Sequence, residues 1–431
     1  MFKKIFKTFG VKFSSAILNL LIAVIVSQFL GSEGKGQQGL IITTIAFILI
    51  FSNIVGGASL VYLTPRLPIK KLVLLSYFWT LLGSAIFAAV LLLFPFKDID
   101  HRYVLHIAVL AAINSFASVN CSILLGKQNI KANNIISFFQ VLITVVTLLI
   151  LFFGGYLVNI FGYIYALYVA YICSFLLSLL FLLPYRTEKG NQEISYISAL
   201  SMLLRFGFLN QLAHIAQLLS FRVSYYFLDS YIGVKSVGVY SNAVSIIESV
   251  WMISGSVALV QYSKIANSDD PKENQSLTAE LLRISLLVTF LVLIVLVILP
   301  ASFYSFVFGK DFSDINRIMW CMAPGILVFV NALILGHYFS GSGKYHVNTI
   351  GSTIGLLITI ALSIITIPRF GYLGAAITAS ISYLATSVYV TWFFCKESKL
   401  RFAALLPTPK YIREYYGLLK QFLNINKNTH E

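Results

Sequence analysis

ELLRISLLVTFLVLIVLVILP, residues 280–300, decides the fold class. After Arg283 no charge and no helix breaker interrupts the chain until Pro300. About 20 apolar residues at 1.5 Å rise span the ~30 Å hydrocarbon of a bilayer, so a stretch of this length reads as a membrane-crossing helix. The rest of the chain repeats it. About twelve such segments follow one another, near 11–30, 37–63, 72–94, 103–125, 132–153, 162–184, 205–228, 237–262, 280–300, 318–340, 348–367 and 372–394. The composition agrees, with 58% hydrophobic residues, 11% charged residues and a mean hydropathy of +0.86. These features describe an all-α integral membrane protein.

The cations orient it. With both termini in the cytoplasm, 23 of the 31 Lys and Arg residues fall in cytoplasmic segments. Seven fall on the opposite side: Lys35, Lys97, Arg102, Lys235, Lys310, Arg317 and Arg369. Arg222 alone lies inside a span. Such a bias is the positive-inside rule, and it predicts a multi-pass protein of the cytoplasmic (cell inner) membrane. The net charge of +15 therefore faces anionic headgroups, not nucleic acid. Residues 1–12, with Phe2, Phe6 and Phe9 among lysines, read as an interfacial helix, and the segment 410–423 as a second one in the tail. The four cysteines are solitary, and no Cys/His spacing suggests a metal.

The polar stretch YRTEKGNQE after the sixth span reads as a linker between halves. The expected organisation is an N-terminal six-helix bundle (1–184), a cytoplasmic linker (185–204), a C-terminal six-helix bundle (205–395) and a basic cytoplasmic tail (396–431). Six spans return the chain to the same side, so the halves are parallel repeats around a central cavity. Internal matches support this. Gly39 to Gly56 and Gly238 to Gly255 are both 17 residues apart, GK recurs at 126–127 and 343–344, and FGYIYALYVAYI (161–172) aligns with FGYLGAAITASI (370–381).

Three stretches carry a resemblance: GSEGKGQQG (31–39), SVGVYS (236–241) and FGYLGAAITASISY (370–383). With the length and the two halves, they resemble the polysaccharide-biosynthesis, O-antigen repeat-unit flippases of the multidrug/oligosaccharidyl-lipid/polysaccharide superfamily. That resemblance implies a cavity lined by spans 1, 2, 7 and 8. It also implies a cargo of undecaprenyl-diphosphate-linked glycan, with membrane lipids and a glycan polymerase or other assembly proteins as partners. The family often shows an Asp-Arg pair in the seventh span. This chain has Phe221-Arg222 there, so the role of that acid is not carried over.

Polar residues inside spans point to the site. An ionised Arg at mid-span costs roughly 2.5–3.5 kcal/mol on insertion scales, so it faces a partner or an aqueous cavity. At 100° per residue, Gln211, His214, Arg222 and Tyr225 fall within about 80° of one another. In the eighth span Ser241, Ser245, Glu248 and Gly255 share a side, and Glu248 is the only acid well inside a span. Arg222 and Glu248 differ by roughly 7–8 Å in depth. They are therefore expected either as a static ion pair or as a cavity-lining pair that binds an anionic headgroup or takes up a coupling proton. Asn53 is a further substrate-contact candidate. Asn19 and Gln28 lie on opposite faces of the first span, so at most one faces the cavity. Asn114, Asn120, Asn331 and His337 are expected to bond between helices, and Pro324 to kink or hinge the tenth span.

No G-x-x-x-x-G-K-[ST] phosphate loop occurs, and no acid pair sits in a water-side loop. The expectation is a transporter and not an enzyme, with no cofactor and no metal. It would flip a polyprenyl-diphosphate-linked oligosaccharide, of the O-antigen or capsule type, by alternating access. An ion-coupled multidrug antiporter of the same superfamily is the alternative, and a membrane glycan polymerase a more remote one.

Overall fold

The computed structural model describes residues 2–93, 101–185, 194–265, 270–407 and 411. Every regular element among them is helical. In chain order they are α1 (Phe2–Ser52), α2 (Gly57–Leu63), α3 (Ile69–Leu93), α4 (His101–Gly126), α5 (Ile130–Phe153), α6 (Ile160–Leu182) and α7 (Tyr196–Tyr231). After these come α8 (Val234–Glu248), α9 (Trp251–Ile265), α10 (Pro271–Ile298), α11 (Ala301–Phe308), α12 (Ile315–Gly341) and α13 (Tyr345–Ser398). Among the described residues, eight helices are long and apolar enough to cross a membrane, or nine if the bent pair α8 and α9 is one span.

Two of the helices are too long for one crossing. At 1.5 Å per residue, the 51 residues of α1 and the 54 of α13 would extend about 75–80 Å, more than twice the hydrocarbon thickness. Each is a pair of rods joined at one glycine, Gly31 (φ 64°) and Gly371 (φ 58°). Positive φ is open to glycine and costly for residues with a Cβ, which is why the break falls on these residues. The expected connection at 31–36 is therefore not a loop, and the helix resumes directly after Gly31. Local signals place the other starts. Asn129, Asn159 and Ser195 accept backbone N–H groups at the starts of α5, α6 and α7, and Asp270 does so before Pro271 at α10. The Ser195 cap starts α7 nine residues before the expected 205.

The second and eighth predicted spans are both interrupted. The chain turns between α1 and α2 at 53–56, and between α8 and α9 at Ser249 and Val250. The carbonyls freed at the first break are taken by side chains: Ser59 Oγ donates to Gly56 O, Ser76 Oγ to Val55 O and Trp79 Nε1 to Phe51 O. A broken helix at membrane depth requires such replacement partners. Around Pro324 the Gly325 N–H donates to Ser380 Oγ of α13, at 2.9 Å.

Helices α1 and α3–α6 pack on one another around Ile45, Ile107, Leu148 and Ile164. Helices α8, α10 and α12 pack with α7 and α13 around Tyr240, Phe312, Met319 and Ile326. The longest contact between these two groups runs along α1 and α8, where a Cβ on Gly36 would overlap the Val234 carbonyl oxygen, and one on Gly238 that of Ser32. Much of the outer surface is apolar: Leu74, Phe78, Leu81, Leu105, Leu180 and Val295 are each more than half exposed. That surface suits lipid and not water, and with the several apolar helices it makes this a multi-pass membrane protein. Of the expected interfacial segment 1–12, residues 2–12 are continuous with α1. The tail segment 410–423 lies outside the described residues, apart from Tyr411.

Candidate functional site

A cavity of about 790 Å³ lies between α1, α5 and α6 on one side and α7 to α10 on the other. Its wall is apolar for much of its extent, from Ile17, Leu20 and Ile42 to Val292 and Leu296. Most of the polar groups gather in two sets. Arg222 and Tyr225 of α7 face Ser241, Asn242 and Ser245 of α8, while Lys35 and Gln38 of α1 lie with Gln140, Tyr163 and Tyr171 of α5 and α6.

Arg222 and Glu248 meet. Arg222 Nη2 lies 2.7 Å from Glu248 Oε2 and Nη1 3.2 Å from Oε1, a two-pronged pair. Tyr383 Oη of α13 donates to Glu248 Oε1 at 3.0 Å. The Arg222 guanidinium also sits 5.6 Å from the Tyr225 ring centroid. Arg222 lines the cavity and Glu248 stands behind it, held by Tyr383, whose ring packs in one cluster with Phe221, Trp251 and Phe329 at centroid distances of 4.7–5.6 Å. Trp251 is anchored in turn by its indole N–H on Ile326 O. A charge pair held so firmly is costly to break from one side, typically about 3–5 kcal/mol, because the survivor is left buried without its partner.

Lys35 is different. It is 6% exposed, it lines the cavity, and its ammonium donates to Gln38 Oε1 at 2.6 Å. No carboxylate pairs with it among the described residues. It does not lie in an outer connection, where the predicted spans placed it, but one turn into the helix that follows the Gly31 kink. Asn242 adds a second unsatisfied group. Its amide N–H donates to Ser27 Oγ of α1 at 2.6 Å, while its carbonyl oxygen is buried without a partner.

Of the residues singled out in the sequence, Arg222 and Tyr225 line the cavity and Glu248 holds Arg222. Gln211, His214 and Asn53 do not line it. Asn53 lies in the turn after α1, where it accepts weakly from Ser118 Oγ at 3.4 Å, and Gln211 reaches toward the same turn at Gly57. His214 lies within electrostatic reach of His337. In the first span Asn19 lines the cavity and Gln28 does not, donating instead to the carbonyls of Phe306 and Val307. Asn120 joins Tyr77 to Ser178 between helices, whereas His337 bonds to Leu333 O of its own helix. The sequence reading missed Lys35, Gln38, Gln140, Tyr163 and Asn242. The signal for the first two was present, since Lys35, Gln38 and Ile42 fall on one face once 32–52 is taken as helix. No group of three or more His, Cys, Asp or Glu residues gathers as a metal site among the described residues.

The cavity thus offers two cations, amides, hydroxyls and phenol rings inside an apolar-sided bundle, a wall suited to an anionic, hydroxyl-rich ligand. The chain was also compared with known proteins. The family model described as polysaccharide biosynthesis protein matches residues 1–258 and 254–416. A curated relative, the capsular polysaccharide biosynthesis protein CapF of Staphylococcus aureus, is 26% identical over 170 residues, which make up 39% of this chain and 43% of that protein. Among solved structures, an inward-facing multidrug resistance MATE family transporter of the MOP superfamily superposes with a TM-score of 0.73 at 14% identity, covering 89% of this chain and 94% of that one. The lipid II flippase MurJ, in an inward closed conformation, gives 0.72 at 16% identity, covering 92% of this chain and 88% of the other. At such identities the two structures establish the fold alone, that of the MOP transporters.

Proposed function

This chain belongs to the polysaccharide biosynthesis protein family, and from that premise we propose that it is a flippase for a polyprenyl-diphosphate-linked oligosaccharide. Its cargo would be a repeat unit of the O-antigen or capsule type. The observation that carries this reading is the cavity, with Lys35 and Arg222 in its wall and Glu248, the acid behind it, already committed to Arg222. A cavity built to bind organic cations would present acids, and this one presents bases. That balance disfavours the multidrug antiporter alternative.

In this reading the diphosphate and sugars occupy the polar cavity while the polyprenyl chain stays in lipid. Arg222 meets the anionic group, Tyr225 stacks on a sugar ring, and Glu248 competes with the cargo for Arg222. Gln211, His214 and Asn53 sit outside the cavity wall in this conformation and would reach cargo only after the helices shift. The halves 1–184 and 205–395 rock against one another, alternating access to the two leaflets. The cation bias of 23 to seven supports cytoplasmic termini and an inner-membrane location. The protein does no covalent chemistry and takes no cofactor.

Depletion of the protein in its native cells tests the proposal. Lipid-linked oligosaccharide should accumulate on the cytoplasmic leaflet, and expression of the wild-type chain should relieve it. Normal arrival of the intermediate on the outer leaflet without the protein would defeat the reading.

A further inference from the structure

The turn of α1 that follows Gly31 faces two ways. On one side it forms a seal between the first and last parts of the chain. Asp311, between α11 and α12, accepts from Ser32 N at 3.3 Å and from Ser32 Oγ at 2.8 Å, which caps the N–H left free by the kink. Gln28 Nε2, one turn earlier, donates to Phe306 O and Val307 O at 3.0 and 2.7 Å. Gly36 and Gly238 let the α1 and α8 backbones touch. Glu33 and Lys235, 3.9 Å apart and both more than half exposed, mark the solvent rim of this seal. On the other side the same turn carries Lys35 into the cavity, with Gln38 holding its ammonium.

We propose that Lys35 is an anion-binding residue whose affinity is set by this seal, so that the cargo's anionic group holds the seal shut and parting the seal releases the cargo. The inference rests on the flippase reading and deepens it. The ligand chemistry is a diphosphate or a sugar carboxylate, since either supplies the missing counter-ion.

The hydration of the ammonium links the anion and the seal. With the seal closed, Lys35 is buried against one neutral amide, a poor substitute for water. An anion entering the cavity compensates that charge in a medium of low effective dielectric, where attraction is strong. If α1 and α8 part, water reaches the ammonium from the rim and the attraction falls. Binding and sealing are then linked, and the linkage is reciprocal: whatever the closed seal adds to anion affinity, the anion adds to the closed seal. Lys35 lies three residues from Ser32 and one from Gly36, within a single helical turn, so the charge and the seal cannot move independently. Arg222 cannot serve this purpose, because Glu248 compensates it in either case.

The test places spin labels at Glu33→Cys and Lys235→Cys in the full-length chain in nanodiscs, with Cys121, Cys173, Cys321 and Cys395 changed to Ser. The distance distribution is recorded with inorganic pyrophosphate, with glucuronate and without either. We expect one or both anions to lower the ratio of separated to sealed molecules by about 5- to 150-fold, the usual range of coupling between two sites. Pyrophosphate as the effective probe assigns the lipid diphosphate, and glucuronate the glycan. Lys35→Arg should keep the response. Lys35→Gln, lacking the buried charge, should be sealed without anion and should not respond. A wild-type distribution that neither anion changes would overturn the proposal, as would an undiminished response in Lys35→Gln. Either result would leave flipping itself intact, because the leaflet assay reads that separately.

Discussion

Arg222 and Glu248 show how a residue-level reading can find the partners and still leave their use to chemistry. Their depths along two helices predicted that they could meet, and they do, with Tyr383 as a third member. The pair makes opposite predictions for its two ends. Arg222→Ala strands a carboxylate against an aromatic wall, so it should reduce transport and also destabilise the fold by about 3–5 kcal/mol. Glu248→Gln leaves Arg222 free for cargo, so it should retain folded protein while changing the apparent affinity. Transport and detergent-extracted thermal stability, measured side by side, check both. Equal stability loss in the two variants with unchanged affinity in Glu248→Gln would make the pair purely structural. Lys35 was less legible. The predicted spans left it in a connection between 30 and 37, and only the continuation of α1 through Gly31 turns this lysine into the cavity.

Kinks and breaks are what the sequence conveys least well at the level of elements. An apolar run of helical length announces itself, because nothing else buries 20 such residues in a bilayer. A glycine within such a run does not say whether the chain loops, kinks or continues. Gly31 and Gly371 kink, and the interruption at 53–56 is recognisable only once the carbonyls of Phe51, Val55 and Gly56 are seen to find side-chain donors. Two glycines give contrasting predictions. Nothing lies near a Cβ at Gly371, so Gly371→Ala meets only the backbone strain of its φ 58°, ψ −135° conformation and should cost about 1–3 kcal/mol. Gly238→Ala drives a methyl into the Ser32 carbonyl and should keep α1 and α8 apart. We expect it to shift spin labels at positions 33 and 235 to the separated distance and to abolish transport, with membrane abundance near wild type. An unchanged distance would mean that the α1–α8 contact can relax without opening.

For the whole molecule, composition and charge were informative because they depend on sums and not on packing. Hydropathy fixed a multi-pass helical membrane protein, and the small-residue motifs pointed to the family whose model matches. Cavity lining was not legible in the same way. It depends on which helix faces answer one another across the bundle, and Gln140, Tyr163 and Asn242 became visible only through that pairing. The cation bias makes its own prediction. A cysteine at Lys235 should react with a membrane-impermeant maleimide on intact spheroplasts, and one at Lys272 only after permeabilisation; the reverse pattern would invert the orientation.

The most direct test of transport uses purified protein in liposomes containing a fluorescent polyprenyl-diphosphate-linked oligosaccharide, with an impermeant quencher outside. The fraction of lipid open to quenching should rise from about half toward completion only when the protein is present. Lys35→Gln and Arg222→Ala should slow this rise. Quenching that stops at the outer-leaflet fraction with folded wild-type protein would contradict flipping by this chain.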